Sequence, residues 1–209
     1  MTVTLYDYWR SSAAYRLRIA FGLAGLDFSI VPVDLLTGEH RGAENLSRNP
    51  QGLVPSADID GQTLTQSLAI IEYLADAGHH DFLPQGPLPR AKCRALSYVI
   101  AMEIHPVCNL SVAKHAVAQS GGTMEMADWM QHFIPKGLRA FETMLEVNGL
   151  YCMGDTVTMA DLCLVPQVYN ARRWGADMSG LTKIATIMEN LEKLPAVQAA
   201  HPDQVQPKA

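Results

Sequence analysis

Two adjacent hydroxyls, Ser11 and Ser12, stand where a β-type run (Val3 to Tyr6) and Trp9-Arg10 give way to a helical pattern carried by Ala13, Leu17, Ala20, Phe21 and Ala24. Gly25 is placed to end that helix. A serine at such a turn caps the free N–H groups of the helix, and its hydroxyl can also donate to an anion held at the helix's positive end. Taken alone, the pair is accounted for by capping. A second hydroxyl of this kind, in Gln66-Ser67, opens a helical stretch from Leu68 to Ala77, with Glu72 in its second turn. Between the two lies Val54-Pro55, just before a strand. Proline there removes a backbone donor, and a cis X-Pro bond exposes the preceding residue's N–H and C=O at an open edge; an ordinary trans turn is the other reading. Two helix N-termini and a strand edge on one small α/β unit suit a small peptide bearing an α-carboxylate and a thiolate.

Composition narrows the field. Of 209 residues, 48% are hydrophobic and 18% charged, a globular rather than a disordered balance. A formal net charge of −5 offers polyanions no general attraction, so nucleic acid is not an expected partner. No apolar run reaches bilayer length and no basic-then-apolar leader is read, so no membrane association is expected and the cytoplasm is the expected location. The four cysteines, Cys93, Cys108, Cys152 and Cys163, form no CxxC pair and fit reduced thiols better than disulfides. The histidines, including His79-His80, show no metal-ligand spacing, and no metal site is expected.

These residues need elements to hold them. Over 1–80 the pattern alternates: strand (3–6), helix (12–24), strand (28–33), a helical segment (40–47), two strands and a helix. Asp60-Gly61 marks a two-residue hairpin turn between Ala57-Asp58-Ile59 and Gln62-Thr63-Leu64. Between Gly78 and Pro89 the composition shifts to His, Pro and Gly, a linker stiffened by Pro84, Pro87 and Pro89. Helical segments follow at 89–118, 123–147, 158–174 and 181–192, and Pro106 and Pro135 are predicted to kink the first two. The expected fold is therefore α/β plus all-α, with an α/β domain over 1–80 and a helical domain over 88–209. Thr158-x-x-Asp161 before an apolar run is a capping box in altered form, assigned to helix initiation rather than catalysis. Met124, Met126 and Met130 are read as packing residues.

In several motifs the chain resembles the zeta class of the glutathione S-transferase superfamily, the maleylacetoacetate and maleylpyruvate isomerases. The resemblance spans essentially the whole chain. It is carried by Tyr8-Trp9-Arg10-Ser11-Ser12 with Arg16-Leu17-Arg18-Ile19-Ala20, by Asn49-Pro50-Gln51-Gly52-Leu53-Val54-Pro55, and by Gln66-Ser67-Leu68-Ala69-Ile70-Ile71-Glu72-Tyr73-Leu74. In the second half it is carried by Ile104-His105-Pro106, Asn109-Leu110-Ser111-Val112, Gly154-Asp155 with the stretch Thr158 to Val168, and Ala171-Arg172-Arg173-Trp174. One departure is Ala13, where the zeta motif often carries a cysteine. Thiol-transfer chemistry by a protein cysteine at this turn is thereby lost, whereas chemistry that uses glutathione's own sulfur is not.

The resemblance implies a thioredoxin-like glutathione-binding domain, a helical substrate domain and a homodimer. Gln66 and Ser67 would hold the γ-glutamyl end of the glutathione cofactor, the Val54 backbone would pair with its cysteinyl part, and His40 and Gln51 would reach its other end. Ser11, with Ser12 as the alternative, would stabilise the thiolate, and Arg10 either reinforces that field or forms a surface salt bridge. In the helical domain His105, Asn109 and Ser111 would line the site, with His105 and Asn109 sharing a helix face, and Arg173 would pair with a substrate carboxylate, Arg172 being the competing choice. The implied reaction adds the thiolate to a cis alkene bearing carboxylate and keto groups, allows rotation, and eliminates the thiolate to leave the trans isomer. Maleylacetoacetate, from tyrosine and phenylalanine degradation, is the preferred substrate and maleylpyruvate the close second. Conjugation or dehalogenation of small α-halo acids, and a non-catalytic binding module that keeps the fold, are the rival readings.

Overall fold

The computed structural model describes residues 1–207. Two compact units emerge, one of Met1–Phe82 with the segment from Glu192 onward, the other Leu83–Leu191.

The first unit is built on a four-stranded sheet in the order β2-β1-β3-β4, with β1 Val3–Asp7, β2 Phe28–Pro32, β3 Ser56–Ile59 and β4 Gln62–Thr65. β1 runs parallel to β2, which requires a crossover between them, and antiparallel to β3. The crossover is α1 (Ser12–Leu23), whose run Ala14–Phe21 is buried throughout. α2 (Ala43–Arg48) follows β2, and α3 (Ser67–Asp76) follows β4. In the hairpin, Ile59 pairs with Gln62 and both turn residues take positive φ, 50° at Asp60 and 79° at Gly61. That is the primed turn whose twist matches the strands it joins. The Val54–Pro55 peptide is cis. This is the thioredoxin-like sheet and helix arrangement expected for the first 80 residues.

The segment after Glu192 departs from expectation. Chain order assigns it to the helical domain of 88–209, but its helices α10 (Pro195–Ala199) and α11 (Pro202–Val205) belong to the α/β unit. The reason lies in α1. Arg18, fully buried, donates through Nε to the Ala200 carbonyl at 3.0 Å, and the Tyr15 hydroxyl reaches the Val197 carbonyl at 3.5 Å. Gly22 allows the close approach, since a Cβ there would lie 3.1 Å from the Ala196 Cβ. Chain order does not tell where a terminal helix docks; buried donors on α1 do.

The second unit is helical: α4 (Pro87–Tyr98), a π-helical segment (Val99–Ile104), α5 (His105–Val107), α6 (Leu110–Gln119), α7 (Met126–Met144), α8 (Met159–Arg173) and α9 (Thr182–Leu191). α8 is the central helix, with every residue from Met159 to Val168 buried. The segment expected as one helix over 89–118 is broken at Cys108-Asn109, and its two parts are bent by 42°. α7 continues through Pro135 as a single element. Gly137 on α7 lies so close to the π segment that a Cβ would sit 2.2 Å from Ile104 Cγ1. Met130 is fully buried, consistent with packing. Among the described residues no single helix is long and apolar enough to cross a membrane.

Candidate functional site

In the α/β unit the chemistry gathers at helix N-termini and one loop. Ser11 is the N-cap of α1: its backbone is extended and its Oγ accepts the Ala14 N–H at 3.2 Å. The oxygen is engaged as an acceptor, while among the described residues no acceptor takes the hydroxyl hydrogen, which leaves Ser11 able to donate. Ser12 is the first residue of α1 and Ala13 the second. Arg10 forms no surface salt bridge among the described residues. Its Nη2 donates to the Tyr8 hydroxyl at 3.3 Å and its guanidinium lies 4.5 Å over the Trp9 ring, with no carboxylate partner among the described residues.

α3 begins with an open N-terminus. Its N-cap, Gln66, sits at φ 67°, ψ 105°, an uncommon conformation for a side-chain-bearing residue, and provides no side-chain cap. The first helical bond runs from the Ile70 N–H to the Gln66 carbonyl at 3.1 Å, so the N–H groups ahead of it point outward from the positive end of the helix. The Gln66 amide is occupied instead in donating to Gln51 Oε1 at 2.8 Å. Two residues expected to meet one ligand are thus hydrogen-bonded to each other. Ser67, largely buried, accepts a hydrogen bond from Arg16 Nη1 at 3.2 Å.

The loop that carries Gln51 and Val54 is shaped by Asn49. This buried side chain accepts the Gln51 N–H at 3.1 Å and donates to the Leu53 carbonyl at 3.0 Å. Among the described residues nothing bonds the N–H or C=O of Val54 itself, the two groups that an extended peptide would use. His40 lies against the same loop: its carbonyl accepts from Asn45 Nδ2 at 2.8 Å and would be 3.4 Å from a Cβ at Gly52. Burial, with Arg41's charge, pushes the His40 imidazole below its ordinary value, partly offset by a backbone hydrogen bond with Asp34. A neutral ring is therefore favoured beside this loop.

The helical unit holds the remaining candidates. His105 opens α5 directly after the π segment. Asn109 is the N-cap of α6, and its Oδ1 accepts both the Ser111 N–H and the Ser111 hydroxyl at 2.9 Å. The expectation that His105 and Asn109 share one helix face is corrected here, because Asn109 is extended (φ −62°, ψ 137°) and starts a new helix. Arg172 and Arg173 both lie exposed in the last turn of α8. Arg173 is steadied by a hydrogen bond from Nη2 to Asn170 Oδ1 at 3.3 Å and by the Trp174 ring, 4.6 Å from its guanidinium carbon. Thr158 and Asp161 form the expected capping box, with the Thr158 N–H and hydroxyl donating to Asp161 Oδ2 at 2.8 and 2.9 Å.

All four cysteines lie in this second unit and are buried. Burial pushes the Cys93 and Cys152 thiols up, and that of Cys108 to about 11. The unit that carries Ser11 and Ser67 has no cysteine in its sequence. A γ-glutamyl peptide with its own sulfur fits the groups present: open N–H groups and a hydroxyl for a carboxylate, a bare backbone pair for an extended strand, a free O–H for S⁻.

Three residues that matter here escape a reading by motif. Asn49 and Arg16 lie inside the motifs already quoted without a role of their own, and Asn170, three residues before Arg173, was available from helical spacing.

A thioredoxin-like unit with an uncapped helix N-terminus, joined in sequence to an all-helical unit, defines a class of glutathione-handling proteins. The family models "Glutathione S-transferase, N-terminal domain" and "Glutathione S-transferase, C-terminal domain" match residues 1–76 and 107–201. A protein of Rhizobium meliloti (strain 1021) named maleylacetoacetate isomerase is 55% identical over 207 residues, 97% of each chain. A solved holo structure of maleyl pyruvate isomerase, described as a bacterial zeta-class glutathione S-transferase, matches at a TM-score of 0.92 and 34% identity, covering 99% of this chain and 100% of its own. A maleylacetoacetate isomerase of Methylobacterium extorquens AM1, solved with bound malonate and GSH, matches at a TM-score of 0.90 and 36% identity over 98% of both chains. The chain belongs to the glutathione S-transferase family, in its zeta class.

Proposed function

We propose that this protein is a glutathione-dependent cis-trans isomerase whose substrate is maleylacetoacetate. The observation that carries the reading is the open N-terminus of α3, where Ser67 and unpaired N–H groups meet the requirements of a carboxylate, beside a loop whose Val54 backbone pair is free. Near-complete alignment at 55% identity with a protein of that name supports the substrate. Bound glutathione supplies a nucleophilic sulfur whose reversible addition to a conjugated cis alkene permits rotation about the former double bond.

The chain's own residues do the rest. Ser67 and the α3 N–H groups bind the γ-glutamyl carboxylate, Gln66 adds an orienting amide, Gln51 reaches toward the peptide's other end, and Val54 aligns the peptide backbone. His40, a neutral ring, donates to the far end. Ser11 donates its free hydroxyl hydrogen and so holds the sulfur as an anion, with Ser12 as the alternative donor. His105, Asn109 and Ser111 contribute polar contacts, and Arg173, fixed by Asn170 and Trp174, offers a planar fork to a substrate carboxylate and to the negative charge that develops next to the keto group.

Maleylpyruvate is the alternative substrate, supported by the TM-score of 0.92 to the maleyl pyruvate isomerase structure. The two present the same cis alkene and carboxylate. The deciding experiment follows isomerisation of each by absorbance, with purified protein and glutathione. A kcat/KM higher for maleylacetoacetate is the expected result. Activity without glutathione, or on neither substrate, would remove the proposal, and release of halide from α-halo acids would move it to conjugation.

The same reading carries a homodimer and the cytoplasm as its setting. Sedimentation at low protein concentration is expected to give a species near twice the 22.9 kDa chain mass.

A further inference from the structure

The hydrogen-bond ladder that begins in α4 changes its step once. The Val99 N–H bonds four residues back, to the Ala95 carbonyl, but the His105 N–H reaches five back, to Ile100. The Cys108 N–H is four back again, on the Ile104 carbonyl at 2.9 Å. One turn therefore holds a residue more than an α-turn does. Everything after it is rotated by about one residue's step, ~100°, from where an unbroken α-helix would put it. His105 is the first residue beyond that turn. A wide turn also suits Pro106, whose ring in a regular helix would meet the carbonyl four residues back, that of Met102. The turn is held from α7. Gly137 stands in the interior of that helix, where glycine is disfavoured, and a Cβ there would lie 2.2 Å from Ile104 Cγ1 and 2.4 Å from Ile104 Cδ1. Ile104 closes the π segment and is 2% exposed, so a close-packed interior leaves it no second place to go.

We infer that Gly137 is a positioning residue for the isomerase, acting through Ile104 to set the rotation of His105. The inference rests on the function proposed above, in which His105 contributes a polar contact. Gly137 has no group of its own to offer a ligand. What it supplies is the space that seats Ile104, and the seated isoleucine keeps the wide turn in register. A methyl group in that space drives Ile104 away from α7 and carries the next residue, His105, with it. An empty seat frees the same turn to tighten toward α geometry, which rotates His105 in the other sense. Displacement of a contact by about 1 Å is enough to lower a rate by on the order of 10²-fold, even when the altered residue touches no reacting atom.

The test measures steady-state rates with glutathione and maleylacetoacetate for wild type, Gly137→Ala, Ile104→Ala and the two together, each also in a His105→Ala background. Thermal unfolding of every protein accompanies it. Gly137→Ala is expected to lower kcat/KM by on the order of 10²-fold. Ile104→Ala, which empties the seat instead of overfilling it, should show a smaller loss. The double variant should recover most of the rate, because it removes both clashing atoms and leaves the Ile104 Cβ at 3.7 Å from the new one. In the His105→Ala background neither substitution should slow the enzyme further, the signature of residues that act through one group. Ile187→Ala, at a buried position of α9, is the control for lost packing and should lower Tm with kcat/KM unchanged. Losses that persist undiminished without His105, a double variant no faster than Gly137→Ala, or an equal slowing by Ile187→Ala would make Gly137 structural and overturn the inference. Should Gly137→Ala not fold, Ile104→Ala with and without His105→Ala decides the same question. His105→Ala at the wild-type rate would also overturn it. Wild type inactive on both maleylacetoacetate and maleylpyruvate would overturn the underlying reading, and the inference with it.

Discussion

Ser11 is engaged as an acceptor by the Ala14 N–H and open as a donor, a division by which one hydroxyl could start a helix and, in the proposed role, hold an anion. Ser11→Ala should therefore do two separable things. Loss of the cap should cost about 1 kcal/mol of stability. Loss of the donor should lower kcat by ~10²–10³, with little change in glutathione affinity, as expected when a principal anion-stabilising hydrogen bond is removed. Ultraviolet titration of the bound thiolate and steady-state rates would check it, and a wild-type rate would transfer the role to Ser12 or to backbone N–H groups. Arg173 allows a similar separation. Arg173→Ala should impair isomerisation of the dicarboxylic substrate far more than conjugation of an uncharged electrophile, since only the former presents a carboxylate. Arg173→Lys should rescue in part because a point charge lacks the bidentate fork, and Arg172→Ala is the control. Equal losses on both substrate types would strip Arg173 of that role. At this scale the sequence is readable where a residue type stands in its usual place, as with the Ser11 cap and the Thr158–Asp161 box. It is not readable for Arg16, because arginine is almost never fully buried and nothing in its spacing marks it as an exception.

The elements of the α/β unit are legible because their boundaries carry local chemistry. Asp60-Gly61 permits the two positive φ angles of a tight hairpin, and the serine and Gln-Ser starts place α1 and α3 to within about a residue. The helical unit is less so. Apolar residues at helical spacing run straight through Val99–Ile104, and a π segment has no sequence signature of its own; its place is set by Gly137, which admits Ile104 against α7. Spacing alone puts Asn109 within a helix, when Pro106 upstream and Ser111 downstream are what a new N-cap would show. Asp161 tests how far one element start supports a unit. Its carboxylate, with no surface exposed, holds the Thr158 N–H and hydroxyl on one oxygen and the Cys152 N–H at 2.8 Å on the other. Burial raises its pKa against the pull of those bonds. Asp161→Ala would leave buried donors unsatisfied at the head of the most buried helix, and a loss of roughly 3 kcal/mol is expected from denaturant unfolding. Glutathione affinity of the folded fraction should stay within a few-fold of wild type, because the site proposed for the γ-glutamyl group lies in the other unit.

For the molecule as a whole, chain order and spatial order part company at Glu192. The last described helices return to the α/β unit, where Val197 and Ala200 are buried against α1 and supply carbonyls to Tyr15 and Arg18. Arg18 in turn grips Asp7 at the end of β1 and the carbonyl of Trp9, two residues before Ser11. One buried guanidinium thus ties three things together: the terminal segment, the central strand, and the turn that presents the candidate thiolate donor. Ending the chain at Leu191 would remove the acceptor of Arg18 Nε. That leaves a charged donor unsatisfied in the interior, at about 1.5–3 kcal/mol. It would also uncover the surface that Val197 covers, a further ~1.5–3 kcal/mol. Against a typical total of about 5–15 kcal/mol, the truncated protein should unfold at markedly lower denaturant concentration. Its kcat should fall as well, because the backbone beside Ser11 loses its anchor, although no residue after Glu192 is assigned to ligand or substrate. A point variant separates the two effects: Val197→Ala keeps the carbonyl that accepts from Tyr15 and removes only side-chain volume, so it should lower stability by roughly 1–2 kcal/mol with kcat unchanged. If truncation lowered stability no further than Val197→Ala does, the carbonyls offered by α10 and its C-cap would contribute little, and Arg18 would have to find another acceptor in solution.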